Sequence, residues 1–333
     1  MALILIYLNY NNYLITYYIY VKHSNNFVMK IIILGNQKFG ASVLQKFCEE
    51  TDHKVVAVLC EPDIIGKPIN PIKQYAESYK IPLFQPQNYK DKKLLDEIRL
   101  LKPDVCVMAY VNSFIPKEFR DIQKKATICF HPSLLPLHRG PSAINWPIIL
   151  GSKETGLTIF YPNDRLDEGD IILQNKVHID PNDTLGDVYF SKIFPLGVKA
   201  CLKAVDLISY GNPPRAIQDK SKATYETWCK KSDSKINWNK SGQEIYNLIR
   251  GCNPQPGAWA NFKENEYVFY DTCFEGNETL KYFPGQIISI NKNEIVIAVN
   301  RGVLKISRMK SKQGKLYVKD MDTNIFKIGD TFI

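Results

Sequence analysis

The chain has 333 residues, 45% of them hydrophobic and 23% charged, and carries a formal net charge of +9 at pH 7. Those proportions are ordinary for a soluble globular enzyme and speak against a disordered chain, and at about 150 residues per domain the length predicts two domains. The positive charge admits a polyanionic partner such as RNA without requiring one, because surface lysines and arginines are usually just solvated.

Eight cysteines are scattered along the chain: Cys48, Cys60, Cys106, Cys129, Cys201, Cys229, Cys252 and Cys273. None forms a Cys-x-x-Cys pair or a Cys/His cluster at zinc spacing, so no metal is expected. They read as reduced and mostly buried thiols of a cytoplasmic protein. Residues 2–21 are rich in Leu, Ile and Tyr but are interrupted by Asn9, Asn11 and Asn12, and no Lys or Arg precedes Lys22. A signal peptide needs a positive start, and a membrane anchor needs ~20 mostly apolar residues. Residues 1–28 are therefore read as an extension outside the fold, in preference to an anchor, and no membrane partner is expected.

From Met29 the elements follow in order. Residues 30–34 form an apolar strand that enters a turn between Gly35 and Gly40, followed by a helix through Phe47. The turn is neither Gly-x-Gly-x-x-Gly nor a Walker-type loop, so it reads as a tight strand-to-helix connection. Residues 55–59 are a second strand, 75–78 a helix, 82–84 strand-like, 94–101 a helix, and 105–109 and 127–130 further strands. This alternation predicts an α/β domain with a parallel sheet covered on both faces. After residue 155 the rhythm changes: strands at 156–161 and 171–173, then a long amphipathic helix over 185–210 broken at Pro195. Residues 211–230 read as a linker. A helix at 243–250 and short strands at 267–270, 286–290, 294–299 and 302–307 predict a small β-barrel-like domain over 231–333, with 29–210 as the main domain.

Ligands of open α/β sheets bind outside the carboxyl ends of the strands. His131 lies at such an end, held extended by Pro132 and followed by Ser133, Leu134, Leu135 and Pro136. A stiff segment presenting an imidazole suits acid–base chemistry near neutral pH. A second candidate is the run 164–170, with four acids (Asp164, Asp167, Glu168 and Asp170) in seven residues. It matches no calcium-loop spacing; a solvated turn and a carboxylate partner for a histidine both remain open from spacing alone.

Residues 128–174 resemble the folate-dependent formyltransferases, a family that includes methionyl-tRNA, glycinamide ribonucleotide and sugar N-formyltransferases and the hydrolase domain of 10-formyltetrahydrofolate dehydrogenase. The resemblance rests on His131, the Ser133-Leu134-Leu135-Pro136 loop, Arg139-Gly140, and Leu166-Asp167-Glu168-Gly169-Asp170, in that order. It continues through Lys235-Ile236-Asn237-Trp238, Ile249-Arg250-Gly251 and Pro256-Gly257-Ala258-Trp259. Ser113-Phe114-Ile115-Pro116, Phe130-His131-Pro132-Ser133 and Ser142-Ala143-Ile144-Asn145-Trp146 are most similar to the dehydrogenase's hydrolase domain. The resemblance implies a Rossmann-like formyltransferase domain followed by an OB-like barrel, and 10-formyltetrahydrofolate as the formyl donor. It also implies that His131 is the general acid and base and that Asp167 positions water or the acceptor. Ser113, Phe114 and Ile115, with Ser133, Leu134, Leu135 and Pro136, would line the folate site.

Amine-formylating members carry Asn two residues before the histidine, whereas this chain has Cys129, a poorer donor to an oxyanion. Cys129 reads as packed and inert rather than as a nucleophile. The expected reaction is hydrolysis of 10-formyltetrahydrofolate. The alternatives are formylation of methionyl-tRNA, formylation of a sugar amine, and folate binding without catalysis. The short stretch 61–71, with its single Lys67, stands where tRNA formyltransferases have a longer basic loop and argues against tRNA. The basic run Lys305, Arg308, Lys310, Lys312, Lys315 and Lys319 argues for it. Oligomeric state is not legible in the sequence.

Overall fold

The computed structural model describes residues 5–10, 13–18, 27–276, 281–312, 314–320 and 325–333. Within the N-terminal extension, β1 (Leu5–Tyr10) and β2 (Tyr13–Tyr18) pair antiparallel with each other; residues 1–4, 11–12 and 19–26 lie outside the described residues. Among the described residues no helix is long and apolar enough to cross a membrane.

The main sheet is built from β3 (Lys30–Gly35), β4 (Lys54–Leu59), β5 (Leu83–Phe84), β6 (Val105–Ala109), β7 (Ala126–His131), β8 (Glu154–Phe160) and β9 (Ile171–His178). Its order is β5-β4-β3-β6-β7-β8-β9. The first five strands are parallel, and β8 and β9 are antiparallel to their neighbours. The sheet is thus mixed at one edge instead of wholly parallel. A parallel neighbour needs a crossover that carries the chain back to the starting end. Residues 132–153 stay at the carboxyl end of β7, and β8 returns from there.

Side chains of β3 alternate between the two faces. Ile31 and Ile33 join the core beneath α1 (Gln37–Glu50), with Phe39, Val43, Leu44 and Phe47. Ile32 and Leu34 join Leu94, Leu95, Ile98 and Phe119 on the other side. A strand buried on both faces has no polar register, which is why 30–34 is an unbroken apolar run. Burying each such side chain contributes about 1.5–3 kcal/mol. Around the sheet lie α2 (Pro71–Ser78), α3 (Lys92–Leu100), α4 (Lys117–Arg120) and α5 (Asn145–Ile149). Asn70 and Asp91 cap α2 and α3 through their side-chain oxygens.

The helix expected over 185–210 is two helices. Residues 187–193 wind as a wide π-helix, and α6 (Phe194–Ser209) follows with Pro195 in its first turn. Proline lacks the N–H an α-helix interior requires, so it begins a helix more readily than it continues one. Beyond residue 230, α7 (Gly242–Gly251) starts from a Ser241/Glu244 capping box. The antiparallel strands β10 (Ala258–Phe262), β11 (Asn265–Phe269), β12 (Thr272–Gly276), β13 (Ile287–Ile290), β14 (Ile295–Val299), β15 (Gly302–Ile306), β16 (Arg308–Ser311) and β17 (Gly314–Tyr317) form two four-stranded sheets. One core containing Trp238, Phe262, Phe269 and Phe332 lies with them. These strands run in the orders β10-β11-β16-β17 and β12-β15-β14-β13, in the region where the sequence predicted a small barrel-like domain.

Candidate active site

His131 is the last residue of β7 and pairs with Thr158 of β8, so it stands on a strand and not on the loop after it. Its side chain is buried, with Nε2 2.9 Å from the carbonyl oxygen of His138. A carbonyl can only accept, so Nε2 carries the proton. The other nitrogen, Nδ1, lies 3.6 Å from Oδ2 of Asp167. That is longer than a hydrogen bond but within ion-pair range. Oδ2 also accepts from the Gly140 N–H at 2.9 Å. Asp167 itself has φ 52°, a left-handed conformation that costs a residue with a Cβ roughly 1–2 kcal/mol and must be held by its neighbours.

Those neighbours come from the segment read as a linker. Gln218 donates to the carbonyls of Asp167 at 2.8 Å and Gly169 at 2.7 Å. Its own carbonyl accepts from Arg139 Nε at 3.3 Å and Nη2 at 2.7 Å. Arg139 is almost fully buried, donates to the Tyr225 hydroxyl, and lies 3.2 Å from Glu168. Tyr225 donates in turn to Glu168 at 2.8 Å. That bond, followed by the charges of Lys220, Arg139 and Arg165, holds the Glu168 carboxyl below its usual range. One residue further on, Glu226 lies 3.1 Å from His138 Nδ1, and its second carboxylate oxygen is buried without a hydrogen-bond partner. Residues 211–230 are therefore a strap across the site. Their Gly, Pro, Ser and Lys content gave no sign of it, because the contacts span 49 to 88 positions.

The Ser133–Pro136 loop divides by orientation. Ser133 and Leu135 are buried, whereas Leu134 and Pro136 are partly exposed. Ser133 Oγ donates to Leu137 O at 2.6 Å. Thr158 Oγ1 donates to Ser133 O and accepts from Leu135 N, and Gln174 Nε2 donates to Leu135 O. Ser133 and Leu135 thus shape the loop from behind, with their side chains toward the interior. Ser113 and Phe114 are exposed, the latter by 66%, while Ile115 is buried. Arg120 ties this loop to the acidic one, donating to the carbonyls of Ile115 and Pro162 and pairing with Asp164.

Cys129 lies between Met108 of β6 and Phe160 of β8. Burial, and then the Asp167 carboxylate, push its thiol well above its usual range. A thiol so held is neither a thiolate nucleophile nor a strong donor. In the basic run, Lys305 pairs with Glu275 at 2.5 Å and Arg308 with Asp271 at 2.7 and 2.8 Å. Two clefts in the C-terminal half, one beside Ser241, Phe274 and Arg301 and one beside Asn182, Arg250 and Lys305, contain neither His131 nor Asp167. Among the described residues no group of three or more His, Cys, Asp or Glu side chains could hold a metal.

Residues 29–204 match the family model described as formyl transferase, and residues 229–321 that described as formyl transferase, C-terminal domain. The chain belongs to the formyl transferase family. It is 35% identical over 321 residues to cytosolic 10-formyltetrahydrofolate dehydrogenase of Xenopus tropicalis, covering 91% of this chain and 35% of that one. It is also 35% identical over 293 residues to methionyl-tRNA formyltransferase of Fusobacterium nucleatum, covering 86% and 94%. The chain thus spans about a third of the dehydrogenase's length and nearly all of the tRNA formyltransferase's. Among solved structures, an N-formyltransferase from Helicobacter canadensis superposes with TM-score 0.65 at 19% identity, covering 87% of this chain and 100% of that one. HypX from Aquifex aeolicus in complex with tetrahydrofolic acid gives TM-score 0.62 at 19% identity, covering 92% and 50%. At that identity the likeness shows the fold.

Proposed function

We propose that this chain removes the formyl group from N10 of 10-formyltetrahydrofolate and passes it to water, giving formate and tetrahydrofolate. The supporting observation is the pairing of His131 with Asp167 near a half-buried thiol at position 129, where amine-formylating members carry Asn. Formyl transfer requires attack on the formyl carbon and a donor for the oxyanion that forms. With no side-chain amide at position 129, a protonated His131 is the available donor. Its Nε2–H bond to the His138 carbonyl fixes the ring so that Nδ1 faces Asp167.

The chemistry balances with these two groups. Water attacks the formyl carbon and gives its proton to Asp167. Nδ1–H of His131 donates to the oxyanion. When the tetrahedral species collapses, the C–N10 bond breaks and His131 supplies the proton that N10 takes up. Asp167 then returns its proton to His131 across the 3.6 Å gap, with a slight approach of the two groups. Ser113, Phe114, Leu134 and Pro136 offer the exposed surface against which the folate would lie.

A second reading, transfer to methionyl-tRNA, is favoured by the near full-length match to a methionyl-tRNA formyltransferase. Two observations weigh against it. The 61–71 loop carries one lysine, and Lys305 and Arg308 already face carboxylates. The test is to supply purified protein with 10-formyltetrahydrofolate, with and without charged initiator tRNA. Tetrahydrofolate formed at the same rate without tRNA supports hydrolysis. Turnover only with tRNA, yielding formylmethionyl-tRNA, overturns it, and binding without any turnover overturns both.

A further inference from the structure

Apart from the His131 site, the side chains best placed for chemistry are two cysteines at the end of the strap. Cys229 and Cys252 are 23 positions apart in sequence, and their sulfurs lie 3.9 Å apart, near van der Waals contact. Cys229 is half-buried, and its N–H donates to Ser142 Oγ at 2.9 Å. Cys252 is fully buried at the C-terminus of α7; its N–H donates to Leu248 O and its carbonyl accepts from Gly257 N. Both backbones are therefore fixed where the sulfurs meet, and each belongs to a different element of the fold.

We propose that Cys229 and Cys252 are a redox-active dithiol, which a hydroperoxide converts to an intrachain disulfide. The roles of the two sulfurs differ. The contact between the two sulfurs, in which either thiol can donate, lowers the Cys229 thiol below its usual range, while that same contact, followed by burial, raises Cys252. The thiol that is held lower thus belongs to the half-buried residue, which is the placement a peroxide-attacking cysteine requires. The Cys229 thiolate attacks one peroxide oxygen and the O–O bond breaks. This leaves a sulfenic acid on Cys229 and, after protonation, water or an alcohol. The Cys252 sulfur then attacks the Cys229 sulfur, loses its proton and expels a molecule of water as the S–S bond forms. Two thiols are oxidised by two electrons, and the peroxide takes them up.

The bond would tie the end of the strap to α7. Tyr225 and Glu226, which hold Arg139 and His138, lie only a few residues before Cys229. Oxidation therefore fastens the segment that braces the site, whichever acceptor the site uses.

Reduced full-length protein is exposed to a modest excess of hydrogen peroxide; free thiols are then alkylated and the digest is mapped by mass spectrometry. The expected result is a cross-linked Cys229–Cys252 peptide and two fewer titratable thiols, both reversed by dithiothreitol. Cys252→Ser should accumulate a Cys229 sulfenic acid that dimedone traps. Because Cys252 is buried and its variant could misfold, Cys229→Ala serves as the second test, and should leave Cys252 unoxidised. Oxidation of Cys229 with Cys252 still free in the wild-type protein would overturn the proposal. So would peroxide uptake confined to the exposed Cys273.

Discussion

Nδ1 of His131 lies 3.6 Å from Oδ2 of Asp167, while the opposite ring nitrogen is held at 2.9 Å by the carbonyl of His138. One nitrogen is committed to the scaffold and the other is directed at a carboxylate. If these groups carry the protons of formyl transfer, His131→Ala and Asp167→Asn should each lower kcat by roughly 100- to 10,000-fold, the usual contribution of a positioned acid or base. Folate affinity, followed by isothermal titration, should change little. Unchanged turnover in either variant would remove the role assigned to that residue.

Gln218 bridges the strap to Asp167 with four hydrogen bonds, two donated to carbonyls and two accepted from buried Arg139. Removing it leaves those groups unpaired. Gln218→Ala should lower the unfolding midpoint by roughly 3–4 °C, the shift expected from a loss of about 2–3 kcal/mol in a chain of this size. It should also reduce kcat more than it raises KM, because Asp167 loses an anchor while the surface proposed for folate keeps its shape. A purely structural strap would lower the midpoint and leave kcat alone.

Gly140 has φ 110°, and a Cβ there would meet the Glu226 carbonyl oxygen at 2.2 Å. Its N–H also holds Asp167. Gly140→Ala must therefore push the strap away and shift the carboxylate, with loss of both stability and turnover. Gly211, at φ 95° with nothing within 4 Å, is the control. Gly211→Ala meets only the left-handed backbone strain, about 1–2 kcal/mol. Comparable unfolding midpoints and rates for the two variants would contradict the close packing of the strap.

Burial and the Asp167 carboxylate raise the Cys129 thiol, so its deprotonation is deferred to higher pH. Iodoacetamide at pH 8 should label exposed Cys273 while leaving Cys129 unmodified, and Cys129 labelling should stay flat up to pH 9. Mass mapping reads this directly. Cys129→Ser should retain activity within a few-fold; a loss of 1,000-fold or more would make the thiol a participant in the reaction.

Much of the fold is local in origin and was legible. The apolar runs at 30–34 and 105–109 are strands because they are buried on both faces of one sheet. Where the expectation failed, the deciding contact was distant. The antiparallel turn-back at β8 depends on where residues 132–153 lie relative to the sheet, not on their composition. The break at Pro195 within 185–210 was expected; that residues 187–193 wind as a π-helix ahead of it was not.

For the site, the sequence by itself determined the order His131, Arg139-Gly140, Asp167 and with it the formyltransferase family. Those residues lie within one stretch whose spacing survives as a pattern. Tertiary structure alone decided that the strap's Gln218, Tyr225 and Glu226 close around that stretch, and that Ser133 and Leu135 point inward. These choices are made by hydrogen bonds from groups far away in the chain: Gln218 to Gly169 across 49 positions, and Glu226 to His138 across 88. A buried arginine and two backbone carbonyls must find partners on folding. Which residues satisfy them is set by where the chain returns, and no local pattern records it.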